Sequence, residues 1–120
     1  EESGLITALD YQMYEKACQK LSEWAGTDFA DISISCNFTR LTVSRSDFLE
    51  RFRAVLGQYQ FSPGCLIIEL PEDSLMDNTT VAYSNVLACK KMGCQIALDD
   101  LAAFLQAHKI WIFLFFPEKR

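Results

Sequence analysis

The sequence predicts an α/β fold in which three parallel strands alternate with helices. Three short apolar segments, at residues 31–36, 65–70 and 94–98, have the composition of strands. An amphipathic helical pattern fills each gap between them, and the strands start about 30 residues apart, which is the length of a βαβ unit. Strands joined by such crossovers lie parallel, so we expect three neighbouring parallel strands with right-handed connections.

The first helix and the first strand follow from residue spacing. The apolar side chains of the helix recur at i, i+3, i+4 and i+7, the set being Tyr14, Ala17, Cys18, Leu21, Trp24 and Ala25. Gly26 follows where helices often end in a left-handed residue. Residues 31–36 then alternate and include β-branched Ile32 and Ile34, which predicts the first strand.

Two more helix and strand pairs follow. Ser46-Asp47 can cap a second helix, and a turn at Pro63-Gly64 leads into residues 65–70, a continuous apolar run typical of a strand buried on both faces. The apolar face of the second helix is Phe48, Phe52, Val55, Leu56 and Tyr59. Asp77-Asn78 can cap a third helix, which ends at Lys90-Lys91, and residues 94–98 form the third strand.

Composition excludes several classes of protein. The 120 residues are 50% hydrophobic and 22% charged, which fits one ordinary folded domain or a piece of a larger protein. A net charge of −5 without a Lys/Arg cluster argues against DNA or RNA binding. The longest apolar run, residues 110–116, is too short for a membrane-spanning helix, which needs about 20 residues.

The cysteines favour a reducing compartment. Five of them occur at irregular spacing without a C-x-x-C pair, which argues against a zinc site and a thioredoxin-like motif. We expect buried free thiols. Because the sequence also opens without a secretory signal, we expect a cytoplasmic protein, or the cytoplasmic part of a larger one.

Polar side chains end each predicted strand. Asn37 follows the first strand, Glu69 and Glu72 end the second, and Asp99 and Asp100 end the third. The carboxyl ends of parallel strands open onto one edge of the sheet, and oxygen ligands without His or Cys suit Mg²⁺ or Mn²⁺. Each position also has an ordinary alternative, because Asp and Asn are common in turns and helix caps.

Four short motifs stand in a recognisable order. They are Glu-Glu-Ser-Gly-Leu-Ile at residues 1–6, Ile-Ser-Cys-Asn-Phe-Thr at 34–39, Ile-Glu-Leu-Pro-Glu at 68–72 and Ala-Leu-Asp-Asp at 97–100. Together they resemble the EAL domain, a family of bacterial phosphodiesterases that open cyclic di-GMP to the linear dinucleotide. The resemblance covers residues 1–100 and predicts a partial domain there, followed by a divergent apolar tail at 101–120.

The resemblance implies a role for each polar residue. Asn37, Glu69 and Asp99 resemble ligands of a first divalent metal, and Asp99 with Asp100 resembles the pair that reaches a second metal. Glu72 resembles the acid that steadies a loop over the site. The family mechanism is two-metal hydrolysis with Mg²⁺ or Mn²⁺, so the resemblance implies catalytic roles for Asp99, Asp100 and Glu72.

The sequence also departs from the family pattern. It lacks the upstream Glu-Ala-Leu motif with its metal-binding Glu, the Gly-rich loop after Asp99-Asp100 and a later Lys, and Pro71 replaces the usual Thr. A complete (β/α)₈ barrel takes about 250 residues, so we expect a TIM-like barrel of about half size. These departures predict a truncated domain that is inactive as an isolated chain.

Two alternatives to the enzyme stay open. The first is a non-catalytic EAL-like module that binds cyclic di-GMP or a protein partner, with a homodimer formed through open sheet edges or the apolar tail. The second is a fragment of a signalling protein with no function of its own. Dependence on a divalent metal distinguishes the enzyme from a protein-binding module.

Overall fold

A three-stranded parallel sheet organises the protein, in a computed structural model that describes residues 2–98. The strands are β1 (Ile34–Asn37), β2 (Leu66–Leu70) and β3 (Gln95–Leu98). They lie side by side in the order β1-β2-β3, and both pairings are parallel. The predicted α/β fold with three neighbouring parallel strands is therefore confirmed.

One helix precedes β1, and the other helices of the described region connect the strands. The helices are α1 (Glu2–Trp24), α2 (Arg40–Val43), α3 (Phe48–Leu56) and α4 (Val81–Lys91), with short 3₁₀ turns at Pro63–Cys65 and Glu72–Leu75. The four-residue helix α2 was not predicted, because one helical turn is too short to show an apolar period.

Helix α1 begins twelve residues before the first residue of the predicted apolar stripe. Its N-terminal half places Leu5, Leu9 and Met13 on the exposed side, where these side chains keep between 49% and 60% of their accessible surface. The buried face of α1 nevertheless continues N-terminally through Tyr11 and Thr7, and the exposed apolar side chains obscure it in the sequence. Gly26 adopts a φ of 79° after the helix, which confirms the predicted left-handed end.

Two element starts differ from the prediction because local turns use the residues instead. Strand β1 begins at Ile34, since the Thr27 hydroxyl donates to the Trp24 carbonyl and accepts from the Phe29 N–H in a turn that occupies the preceding residues. Helix α4 begins at Val81, capped by Thr80.

Of the two predicted aspartate caps, Asp47 does stand at the N-cap of α3, whereas Asp77 does not cap α4. Asp77 forms a turn of its own, accepting from the Thr79 N–H at 2.9 Å, and leaves the cap of α4 to Thr80. Asp47 precedes α3 but makes no capping hydrogen bond, because its carboxylate binds the Arg45 guanidinium at 2.9 Å.

The core lies between the helices and one face of the sheet. At its centre, four aromatic rings are almost completely buried, namely Tyr14, Phe38, Phe48 and Phe52. Tyr14 and Phe52 stack at 4.5 Å, and the Tyr14 hydroxyl donates to the Phe52 carbonyl at 2.8 Å. All five cysteines are buried free thiols, as predicted.

Several predictions fall outside the described residues. These are the metal-ligand and catalytic roles of Asp99 and Asp100, the apolar tail at 101–120, and the boundary placed between residues 100 and 101. Along residues 2–98, no helix is both long enough and apolar enough to cross a membrane.

Candidate functional site

The carboxyl edge of the sheet brings two predicted site residues side by side. Asn37 at the end of β1 lies opposite Glu69 of β2, and Glu69 lies opposite Ala97 of β3. Neighbouring strands in a sheet are about 4.8 Å apart, so the backbones of Asn37 and Glu69 are close. The structure thus places these two residues next to each other, as the sequence predicted.

Both residues lie on the face of the sheet that points away from the helices. Ile68 and Leu70, on either side of Glu69, belong to the core that the helices cover. Successive side chains of a strand point to opposite faces, so Glu69 lies on the other face. Asn37 is in register with Glu69 and therefore shares that face.

The chemistry of this pair fits a hard divalent cation. A carboxylate and a carboxamide oxygen are ligands that Mg²⁺ accepts, and Mg²⁺ keeps several waters when a protein supplies only one or two ligands. Between residues 2 and 98, no group of three or more His, Cys, Asp or Glu side chains is arranged to hold a metal. Asn37 and Glu69 thus provide part of a ligand set, and Asp99 and Asp100 follow β3 in sequence, outside the described residues.

The neighbouring thiol of Cys36 is not a candidate metal ligand. Burial is the main factor that raises the pKa of Cys36, and the adjacent thiols of Cys18 and Cys94 and the carboxylate of Glu69 raise it further. Cys36 also belongs to the core that the helices cover, on the face of the sheet opposite Asn37. The donors at this edge are oxygen atoms.

The residue after Asn37 attaches this edge to the core. The Phe38 N–H donates to the Glu69 carbonyl at 3.0 Å, which extends the β1–β2 ladder by one bond. The Phe38 ring is 1% exposed and packs 5.4 Å from both Tyr14 and Phe48. The backbone on the C-terminal side of Asn37 is therefore held in place by packing as well as by strand pairing.

Asp10 of α1 also contacts this segment, which was not predicted. Its Oδ2 accepts from the Thr39 N–H at 2.9 Å, the Thr39 hydroxyl at 2.8 Å and the Thr42 hydroxyl at 2.6 Å. The contact joins residues about 30 positions apart. In the sequence, Asp10 is one of several acids on a helix, so no local pattern distinguishes it.

A second link joins the segments that follow β1 and β2. Arg40, the first residue of α2, forms an ion pair with Asp73 in the 3₁₀ turn after β2. Both side chains are more than half exposed, so the pair contributes little to stability. Glu72 precedes Asp73 and is exposed, and its proposed loop-steadying role stays a prediction.

A cleft opens beside Asn37. It lies between α1 and β1, has a volume of about 380 Å³, and is lined in part by Leu9, Asp10, Met13, Lys16 and Asn37. Its walls combine exposed apolar side chains of the helix with polar groups near the carboxyl edge.

Comparison with known proteins identifies the family. The sequence model of the EAL domain matches residues 1–109. The chain belongs to the EAL domain family. It is 25% identical over 100 residues to the bifunctional diguanylate cyclase/cyclic di-GMP phosphodiesterase MucR of Pseudomonas aeruginosa, a match that covers 83% of this chain and 15% of MucR. It is also 28% identical over 102 residues to an uncharacterized protein of Mycobacterium tuberculosis, covering 83% of this chain and 33% of that protein.

Solved structures of EAL domains share the fold. The Pseudomonas aeruginosa MucR phosphodiesterase in its c-di-GMP complex superposes with a TM-score of 0.70 at 24% identity, over 83% of this chain and 43% of that one. The Xanthomonas citri FimX EAL domain in complex with c-di-GMP superposes with a TM-score of 0.66 at 22% identity, over 90% and 44%. The prediction of about half a TIM-like barrel is confirmed, since the chain spans less than half the length of these domains.

Proposed function

We propose that this EAL chain carries part of a cyclic di-GMP phosphodiesterase site that works with Mg²⁺ or Mn²⁺. The observation that carries the proposal is the register of Asn37 with Glu69 at the carboxyl edge, on the sheet face away from the helices. Asp99 and Asp100, which follow β3, complete the proposed ligand set, and Glu72 steadies the adjacent loop.

Glu69 and Asn37 differ in charge, and each contributes differently to cation binding. Glu69 supplies a negative charge that attracts a divalent cation, and the Asn37 carboxamide supplies a neutral oxygen, so the pair binds a cation without excess negative charge. A bound cation supplies positive charge that favours attack of water on phosphorus. Because the chain has a net charge of −5 and the dinucleotide is an anion, a cation at this edge also reduces their repulsion.

A direct test is incubation of the purified 120-residue chain with cyclic di-GMP and Mn²⁺, followed by chromatographic separation of the products. We expect any linear dinucleotide to disappear in Glu69→Ala and with a chelator. Glu50→Ala is the matched control, because Glu50 is an exposed acid on α3, away from the carboxyl edge. Hydrolysis that survives both Glu69→Ala and the chelator contradicts the metal-dependent proposal.

The second candidate is a module that binds cyclic di-GMP without hydrolysing it. The structurally similar FimX EAL domain was solved in complex with c-di-GMP. Calorimetry distinguishes the candidates, because binding without any product over hours supports the module, while product formation supports the enzyme.

Self-association belongs to this second candidate. Among the described strands, β1 and β3 each pair on one side only, and in this candidate a second copy pairs with one of these edges. Sedimentation velocity across a range of concentrations measures whether a homodimer forms. A sedimentation coefficient that stays constant at the monomer value across that range argues against it.

A further inference from the structure

We infer that Asp10 is a positioning residue for Asn37. Its carboxylate fixes the backbone that follows β1, and so sets the direction in which the Asn37 carboxamide points. The inference concerns a residue outside the proposed ligand set, and it rests on the proposed function only for its effect on metal binding.

A single oxygen atom of Asp10 holds the segment after β1. Asp10 Oδ2 receives three hydrogen bonds of 2.6 to 2.9 Å, two from Thr39 and one from Thr42. Hydrogen bonds to an ionised acceptor are about twice as strong as neutral ones. Thr42 is completely buried and its hydroxyl also contacts that of Thr7, so water is excluded from one side of the cluster.

The anchored residue Thr39 is close in sequence to the candidate ligand Asn37. Thr39 lies two residues after Asn37, and only Phe38 separates them. Phe38 is held by its N–H bond to the Glu69 carbonyl and by the aromatic core. With strand pairing before Asn37 and the Asp10 anchor after it, the backbone around Asn37 has little freedom to rotate.

The carboxylate of Asp10 also acts on the N-cap of α2. Thr39 is the N-cap of α2, and its hydroxyl accepts from the Thr42 N–H at 3.4 Å while donating to Asp10. Asp10 thus orients the cap itself. An asparagine at position 10 replaces the charged Oδ2 with a neutral amide oxygen, so each of the three hydrogen bonds loses the strength that an ionised acceptor gives.

The test uses NMR on the full chain and on Asp10→Asn. Hydrogen exchange reports the Thr39 amide, and three-bond couplings report the χ1 angle of Asn37. We expect the Thr39 amide to exchange at least ten-fold faster in Asp10→Asn, and Asn37 to change from one χ1 rotamer to an average. The same samples are titrated with Mn²⁺, and we expect the dissociation constant to rise at least five-fold.

A control separates positioning from stability. Tyr14→Phe removes the buried hydrogen bond to the Phe52 carbonyl, which stabilises the core without touching Asp10. It should lower the melting temperature yet leave the Asn37 rotamer and the Mn²⁺ dissociation constant unchanged. Thr42→Val removes one of the three donors and should give a smaller change of the same kind, which keeps the test available if Asp10→Asn does not fold.

The outcomes are distinguishable. Unchanged Thr39 exchange and an unchanged Asn37 rotamer in Asp10→Asn overturn the inference, whatever the metal does. A wild-type chain that binds no Mn²⁺ contradicts the proposed function, while exchange and couplings still decide the role of Asp10. Equal losses of Mn²⁺ affinity in Asp10→Asn and Tyr14→Phe reduce Asp10 to a purely structural role and also overturn the inference.

Discussion

Phe38 connects the candidate site to the core, and its replacement tests that connection. The ring is 1% exposed and lies 5.4 to 6.2 Å from four other aromatic rings, those of Tyr11, Tyr14, Phe48 and Phe52. Phe38→Leu keeps an apolar side chain there but removes all four ring contacts.

The expected loss of stability follows from these contacts. A buried Phe→Ala change costs about 3–5 kcal/mol, and a buried swap between apolar side chains of similar volume usually costs less than about 1.5 kcal/mol. Aromatic pairs contribute about 0.5–1.5 kcal/mol each beyond the area they bury, so Phe38→Leu should cost about 2 kcal/mol. In a domain of this size that loss lowers the melting temperature by about 8 °C.

Phe29 offers a matched control for the same substitution. Its side chain is 54% exposed, and its ring contact is with Trp24 at 6.2 Å. Phe29→Leu should therefore cost less than about 0.5 kcal/mol, or about 2 °C. Thermal unfolding followed by far-ultraviolet circular dichroism measures both variants under identical conditions. Equal shifts in the two variants would refute the conclusion that the four-ring contact holds the segment after β1.

Three further changes test packing, backbone and ionisation. Asn85→Ala removes two hydrogen bonds to carbonyls at the end of α2, so urea unfolding should show a loss of about 2 kcal/mol. Gly93→Ala should cost about 2 kcal/mol in thermal unfolding, because φ is 107° and the added Cβ would lie 3.2 Å from Pro63. Burial raises the pKa of Cys89 to about 12, so the unfolding free energy, measured by urea titration, should fall as pH rises above about 8.5.

Each of these three has its own control. Asn78→Ala changes an exposed asparagine and should leave the urea midpoint unchanged, whereas an equal loss would argue against the buried bonds of Asn85. Gly26 has a φ of 79°, and no atom lies within 4 Å of a Cβ added there. Gly26→Ala should therefore cost less than Gly93→Ala, and a higher cost would contradict the steric argument. The alkaline loss of stability should be shallower in Cys89→Ala, and a stability that rises between pH 9 and 11 would disprove the linkage.

The fold was predictable because its signals are periodic and local. Strands β2 and β3 lie within one residue of the predicted segments, since apolar runs between glycine- and proline-containing turns have few alternatives. The start of α4 was less predictable, because Asp77 and Thr80 are both good capping residues and only the folded chain shows which one caps. The first half of α1 was missed because three of its apolar side chains, those of Leu5, Leu9 and Met13, are exposed and mask the buried stripe.

The candidate site was predictable only in part. The carboxyl ends of parallel strands meet at one edge of the sheet, so the closeness of Asn37 and Glu69 could be predicted without knowing any contact. Asp10 contacts residues about 30 positions away, and the ion pair between Arg40 and Asp73 joins two separate loops. Such contacts depend on how helices pack on the sheet, which the spacing of residues along one chain does not specify.

The strand order has a consequence for how the chain folds during synthesis. Because β1, β2 and β3 are neighbours in the same order in which the ribosome produces them, each new strand finds its partner already made. Both pairings among the described strands close loops of about 30 residues, so their entropic cost is modest. The described region can therefore grow strand by strand from its N-terminus, with its apolar faces exposed only briefly at each step.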